Sequence, residues 1–184
     1  MKVGVIYGGT RTNGNTETLT EQVIQDLPVE KIYLKDYDIK PIEDQRHDPS
    51  GFKEVEDDYN DVIDRVLSYD ILIFATPIYW FSMSGTMKLF IDRWSQTLKD
   101  PNYPGFKGVM SSKKAYVIAV GGDNPLIKGL PMIEQFQHIF NFIGISFEGY
   151  VLGKGNQPGE IQQDEQALAV ANQIHSTLKQ QVNK

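Results

Sequence analysis

Cysteine is missing from the 184 residues, and histidine occurs only three times. The first absence removes disulfides, zinc–thiolate sites, iron–sulfur clusters and thiol catalysis together. Any redox chemistry must therefore come from a bound organic cofactor. His47, His138 and His175 have no ligand spacing with one another or with clustered carboxylates, so no metal site is expected. No apolar run approaches the roughly 18 residues of a membrane span. The opening Met1-Lys2-Val3-Gly4-Val5-Ile6-Tyr7 reaches glycines too soon for a secretory signal, and a cytoplasmic location is expected. Positive charge is also scarce. Against 24 Asp+Glu there are 18 Lys+Arg, a net charge of −6, which opposes nucleic-acid backbones and acidic membrane surfaces alike.

What is present suits one soluble domain over residues 1–184, large enough to bury its own core. Apolar, β-branched runs recur at Val3 to Tyr7, Lys31 to Leu34, Ile71 to Ala75, Ala115 to Val120 and Ile145 to Leu152. Helical spacing separates them: Leu19, Val23 and Leu27; then Val55, Tyr59, Val62, Ile63 and Val66; then Met87, Phe90, Ile91 and Trp94. Further along come Met132, Phe136, Ile139, Phe140 and Ile143, and finally Leu168, Ala171, Ile174, His175 and Leu178. Five strands alternating with five helices predict an α/β fold with a parallel sheet covered on both faces. The stretch from Asp100 to Ser112, with Pro101, Pro104, Gly105 and Gly108, reads as a surface loop.

Ligands of such folds bind outside the carboxyl ends of the strands, where strand order reverses. Three loops fall there. Gly8 to Thr16 joins a buried strand to an amphipathic helix, placing backbone N–H groups and hydroxyls at the positive end of that helix. The loop nearly spells a nucleoside-triphosphate motif, because Gly9 and Gly14 have the right separation and Thr16 the right place. Asn15, however, stands where the lysine is required. The third strand ends Phe74-Ala75-Thr76-Pro77, without a magnesium-binding aspartate, so a phosphoryl-transfer site would lack both cationic elements. A dinucleotide fingerprint fails too, since Gly8 and Gly9 are adjacent. The remaining reading is a single terminal phosphate. Thr10, Thr12 and Thr16 would offer hydroxyls, Arg11 a formal charge and Asn15 its amide, with Gly14 in the turn. The same residues are also ordinary turn and cap formers.

The second loop, Thr76 to Ser84, sets Tyr79, Trp80 and Phe81 in a row where chain should be leaving the core. Core packing would account for one of them and a planar ring for more, with backbone amides free for its polar edge. A subunit interface would account for them as well. In the third loop, Gly121-Gly122-Asp123 allows close backbone approach to such a ring, or forms a simple turn.

Gly8 to Thr16 resembles the G-S-x-R-x-x-G-N-T phosphate loop of the flavodoxin-like NAD(P)H-dependent FMN reductase and quinone reductase family. Thr76-Pro77-Ile78-Tyr79-Trp80, followed by Gly85, Lys88, Phe90, Ile91, Asp92 and Arg93, is similar to that family's T-P-x-Y and G-x-x-K-x-F-x-D-R. The resemblance implies a flavodoxin-like three-layer sandwich with strand order 2-1-3-4-5. It implies FMN, with the phosphate on Thr10, Arg11, Asn15 and Thr16 and the ring against Pro77, Ile78, Tyr79, Trp80, Gly121 and Gly122. NAD(P)H is the implied co-substrate, in two-electron transfer to a small acceptor such as a quinone, azo dye, nitroaromatic or flavin. No side chain is assigned an acid–base role. Gly9 departs from the motif, where relatives carry Ser, leaving Thr10 or Thr12 to compensate. The region after the second strand, Ile39 to Asp44, lacks the cysteines of the iron–sulfur branch.

Two other classes use the same features: a flavodoxin-type electron carrier, which also pairs an acidic body with one FMN, and a non-catalytic flavin-binding regulatory protein. Glu54, Glu56, Asp57, Asp58, Asp61 and Asp64 read as a solvated helix face. Lys88 and Asp92 form an i,i+4 pair, and Arg93 and Trp94 are placed to face another subunit. By the resemblance, a homodimer or homotetramer is expected.

Overall fold

The computed structural model describes residues 1–183. Its centre is three strands that are buried almost end to end, β1 (Val3–Tyr7), β3 (Ile71–Pro77) and β4 (Lys114–Gly121). Their near-continuous apolar runs are what a sheet covered on both faces requires. The edges, β2 (Val29–Tyr33) and β5 (Ser146–Lys154), carry exposed positions. All pairings are parallel, in the order β2-β1-β3-β4-β5. The chain reverses direction across the sheet between β1 and β3, which makes their carboxyl ends the expected crevice.

Alternate residues feed opposite faces. Val5, Ile73, Ile118 and Val120 pack under α1 (Asn15–Ile24) and the last helix, α8 (Glu165–Val182). Ile6, Leu72, Phe74 and Val117 pack on the other side. That side is covered by α2 (Tyr59–Leu67), α3 (Gly85–Asp92), α4 (Trp94–Thr97), α5 (Phe106–Ser111) and α7 (Leu130–Ile143). A short helix, α6 (Pro125–Lys128), precedes α7. This is the three-layer, five-stranded arrangement the sequence implied.

Several expectations need correction. The Asp100–Ser112 stretch is not a surface loop throughout, because α5 turns Phe106 and Met110, one helical turn apart, into the core. Arg93 and Trp94 do not face a neighbour; both are buried. Asp57 does not lie on a solvated face but pairs with Arg93, the two side chains being 2% and 1% exposed. Val55 lies before α2 begins, in irregular chain. Lys88 and Asp92 do pair across one helical turn at 2.5 Å, and His175 is half-buried with Nδ1 3.1 Å from the Val23 carbonyl.

Candidate cofactor site

The loops after β1 and β3 are stitched together before either reaches solvent. The Gly8 N–H donates to the Ala75 carbonyl at 2.8 Å, and the Ser84 hydroxyl donates to the Gly8 carbonyl at 2.7 Å. The Ser84 N–H in turn donates to the Thr76 hydroxyl at 2.9 Å, while Ser84 Oγ accepts the Met87 N–H and caps α3. Beyond this stitch the first loop opens onto the N-terminus of α1. There the N–H groups of Asn15, Thr16 and Glu17 have no backbone acceptor among the described residues. Donors of this kind, at the positive end of a helix, form an anion site.

The second loop turns more sharply. Tyr79 and Ser82 exchange both backbone hydrogen bonds, at 2.9 and 3.0 Å, around Trp80 (φ 49°) and Phe81 (φ 65°). Two left-handed residues inside a mutually bonded pair are the signature of a type I′ turn. The Ile78 N–H is also bonded, to the Val120 carbonyl at 2.9 Å. The amides of Ile78 and Tyr79 are therefore already spent, contrary to the expectation that this loop keeps its N–H groups free.

Between the loops lie two adjoining hollows. The first, about 200 Å³, runs from the N-terminus of α1 to the glycines after β4. The second, about 410 Å³, extends over Trp80, Phe81, Asp123 and Lys128. They share Ile78, Gly121, Gly122 and Asn156. Of the residues singled out from the sequence, Arg11, Gly14, Asn15, Thr16, Pro77, Ile78, Tyr79, Gly121 and Gly122 border the first hollow. Trp80 borders only the second, and is 95% exposed. Thr10 and Thr12 border neither; Thr12 Oγ1 instead accepts Lys35 Nζ at 3.0 Å. Asn15 lines the hollow, but its carboxamide is engaged elsewhere, with Nδ2 donating to the Gln157 carbonyl at 2.7 Å and Oδ1 accepting the Gly159 N–H at 2.9 Å.

Residues not singled out from the sequence complete the walls. Tyr7 and Tyr33 stand side by side in register at the ends of β1 and β2, their rings stacked at 4.6 Å and inclined by 8°. Their hydroxyls donate to Glu21 and Glu17, each at 2.9 Å. Burial, followed by these carboxylates, raises both phenols; Tyr33 is pushed up to about 12, so both stay neutral at physiological pH. A tyrosine closing each of two neighbouring strands was the signal for them. Gly155 and Asn156, after β5, form the remaining wall, and the turn-rich Gly155-Asn156-Gln157-Pro158-Gly159 marked it.

No helix among the described residues is long and apolar enough to cross a membrane, and no group of three or more His, Asp or Glu among them is placed to hold a metal ion. Residues 1–149 match the family model described as NADPH-dependent FMN reductase. Over 174 residues the chain is 63% identical to a Bacillus subtilis (strain 168) protein provisionally named NAD(P)H-dependent FMN-containing oxidoreductase YwqN, covering 95% of this chain and 96% of the relative. A solved structure described as the Trp repressor binding protein from Bacillus subtilis superposes with a TM-score of 0.80 at 57% identity, covering 94% and 97% of the two chains. An FMN-dependent NADH-azoreductase from Bacillus anthracis, solved in complex with FMN, shares the fold at a TM-score of 0.68 and 15% identity, with 97% and 99% covered. The chain thus belongs to the NADPH-dependent FMN reductase family, as an FMN-dependent NAD(P)H oxidoreductase.

Proposed function

We propose that the joined hollows hold FMN and that the protein passes electrons from NAD(P)H to a small planar acceptor: a quinone, azo compound, nitroaromatic or free flavin. The observation that carries this reading is the continuity of the two hollows. An anion-binding helix N-terminus at one end leads, past the shared walls of Ile78, Gly121 and Gly122, to an aromatic-rimmed opening at the other. The donor set fits FMN: the N–H groups opening α1, the Thr16 hydroxyl and the Arg11 guanidinium suit a phosphate. Pro77, Tyr79 and the two glycines suit a flat ring. When bound, FMN supplies the hydride chemistry.

The chain's own part is to bind, orient and shield. Tyr7 and Tyr33, kept neutral by burial and by Glu21 and Glu17, line the first hollow as a stacked pair of uncharged rings. The Tyr79–Ser82 turn sets Trp80 and Phe81 over the second, where nicotinamide and acceptor would visit in turn. We also infer a cytoplasmic homodimer or homotetramer, formed through the exposed Leu126, Ile127 and Leu130 rather than through Arg93 and Trp94. Sedimentation as a monomer at micromolar concentration would contradict that assembly.

The test is to mix FMN-loaded protein with NADPH or NADH and a benzoquinone and to follow the nicotinamide absorbance. Oxidation is expected, with parallel lines in double-reciprocal plots. No oxidation of either nucleotide would sink the proposal.

A further inference from the structure

Asn15 is buried, 7% exposed, at the first position of α1. Beside the bonds to Gln157 and Gly159, its Oδ1 lies 3.4 Å from the Ile161 N–H. One side chain thus joins the start of α1 to a turn more than 140 residues away in sequence. The turn's other polar bonds are mostly internal or reach β4. The Asn156 and Gln157 N–H groups donate to Glu160, and the Gly155 N–H donates to the Gly121 carbonyl at 3.0 Å. At Gly155 a Cβ would sit 2.7 Å from Asn15 Nδ2, so a side chain there forces the carboxamide to shift. The turn passes directly over the carboxamide, and its first two residues, Gly155 and Asn156, wall the hollow.

We propose that the Asn15 side chain is a positioning group, not a phosphate ligand: while the backbone N–H stays with the anion site, the carboxamide braces the 155–161 turn against α1, so that the wall formed by Gly155 and Asn156 is set before a ligand arrives. A wall held in advance spares the ligand the cost of ordering it, and losing the brace weakens binding without removing any contact to the phosphate. The inference rests on the FMN reading of the cavity, and two measurements separate them.

The first uses ligand-free protein. In Asn15→Ala the Gly159 and Ile161 amides should exchange hydrogen at least tenfold faster than in the wild type, while amides in β1 and β3 stay protected. The second compares FMN with riboflavin, which lacks the phosphate, by quenching of flavin fluorescence. Asn15→Ala should weaken both by a similar factor, about tenfold, whereas Arg11→Ala should weaken FMN alone. Should Asn15→Ala fail to fold, Gly155→Ala displaces the same carboxamide from the other side and should give the same pattern. The proposal is overturned if either variant weakens FMN and spares riboflavin, or leaves the exchange of Gly159 and Ile161 unchanged. If the wild type binds neither flavin, the cofactor reading falls, and amide exchange alone decides the brace.

Discussion

The turn after β3 and the long excursion after β2, residues 37–58, are both irregular chain leaving the same edge of the sheet. At the first, Trp80 and Phe81 sit in left-handed conformations and stay 95% and 46% exposed. The second has one positive φ, at Gly51, where it is free of strain, and is fastened by a buried ion pair. Arg93 Nη1 donates to the Asp57 carboxylate and to the Lys40 carbonyl, and Nε to Gln96 Oε1 at 2.9 Å. The guanidinium lies 4.5 Å from the centre of the Tyr59 ring, and Asp57 also accepts the N–H groups of Lys40 and Tyr59. Every strong donor and acceptor of the pair is matched, as burial demands. Backbone strain thus collects beside the cavity, where it displays side chains, while the remote excursion is held by side-chain bonding. Strain of this kind persists where surrounding structure overrules local preference and a function uses the result.

The clamp should give the largest effect. Asp57→Asn leaves Arg93 buried without its carboxylate and is expected to cost about 3–5 kcal/mol at pH 7, measured by urea unfolding. Its pH dependence follows from the carboxyl. Burial pushes Asp57 up, but the bonds from Arg93 and from the Lys40 and Tyr59 amides outweigh burial and hold it below the usual carboxylate range. A lowered folded pKa means the unfolded chain binds the proton first, so this stability is present above about pH 4 and is lost as pH falls through the folded value. The gap between wild type and Asp57→Asn should therefore narrow in acid. A gap that stays constant down to pH 3 would show that the pair's charge is not what holds the excursion.

The stitch beneath the strained turn comes next. Ser84→Ala removes the bond to the Gly8 carbonyl and the cap on Met87 together, at a cost of about 1–3 kcal/mol. Because Gly8 and Thr76 open the two loops that flank the cavity, flavin affinity should fall along with stability. A stable Ser84→Ala protein with weakened FMN binding would separate the two roles, and unchanged values of both would remove Ser84 from the account.

How far all this could be read in advance depended on the range of the signal. The β-branched runs of β1, β3 and β4 and the loops at their ends are local patterns, and the two hollows lie between those loops. Asp57 is one acid in a string of acids, and nothing local marks it as the one that turns inward to an arginine 36 residues on. The glycines and prolines of Asp100–Ser112 concealed the four-residue spacing of Phe106 and Met110 that makes α5. Asn15 reads locally as a phosphate donor, and no local pattern points to the partners of its carboxamide, Gln157 and Gly159, at the far end of the chain. The turn at Trp80 and Phe81 was unreadable for a different reason: type I′ geometry calls for Asn or Gly, so turn chemistry argues against the conformation found.

That contradiction supplies the smallest and sharpest test. Left-handed backbone costs an ordinary L-residue about 1–2 kcal/mol, and bulky aromatics gain nothing back by local side-chain bonding as Asn does. Replacing Trp80 by Asn and Phe81 by Gly installs the residues a type I′ turn prefers. It gives up little burial at Trp80, together with the Lys128 ammonium 5.6 Å from the Phe81 ring centre. The double variant is expected to gain about 1–2 kcal/mol in urea unfolding with an unchanged denaturant slope. At the same time kcat/KM for a benzoquinone should drop about tenfold as the aromatic rim of the second hollow disappears. Higher stability with undiminished turnover would mean that the strain serves something other than the acceptor. No gain in stability would mean that neighbouring packing already relieves these two residues, and the contrast with the relaxed, clamped excursion would lose its physical basis.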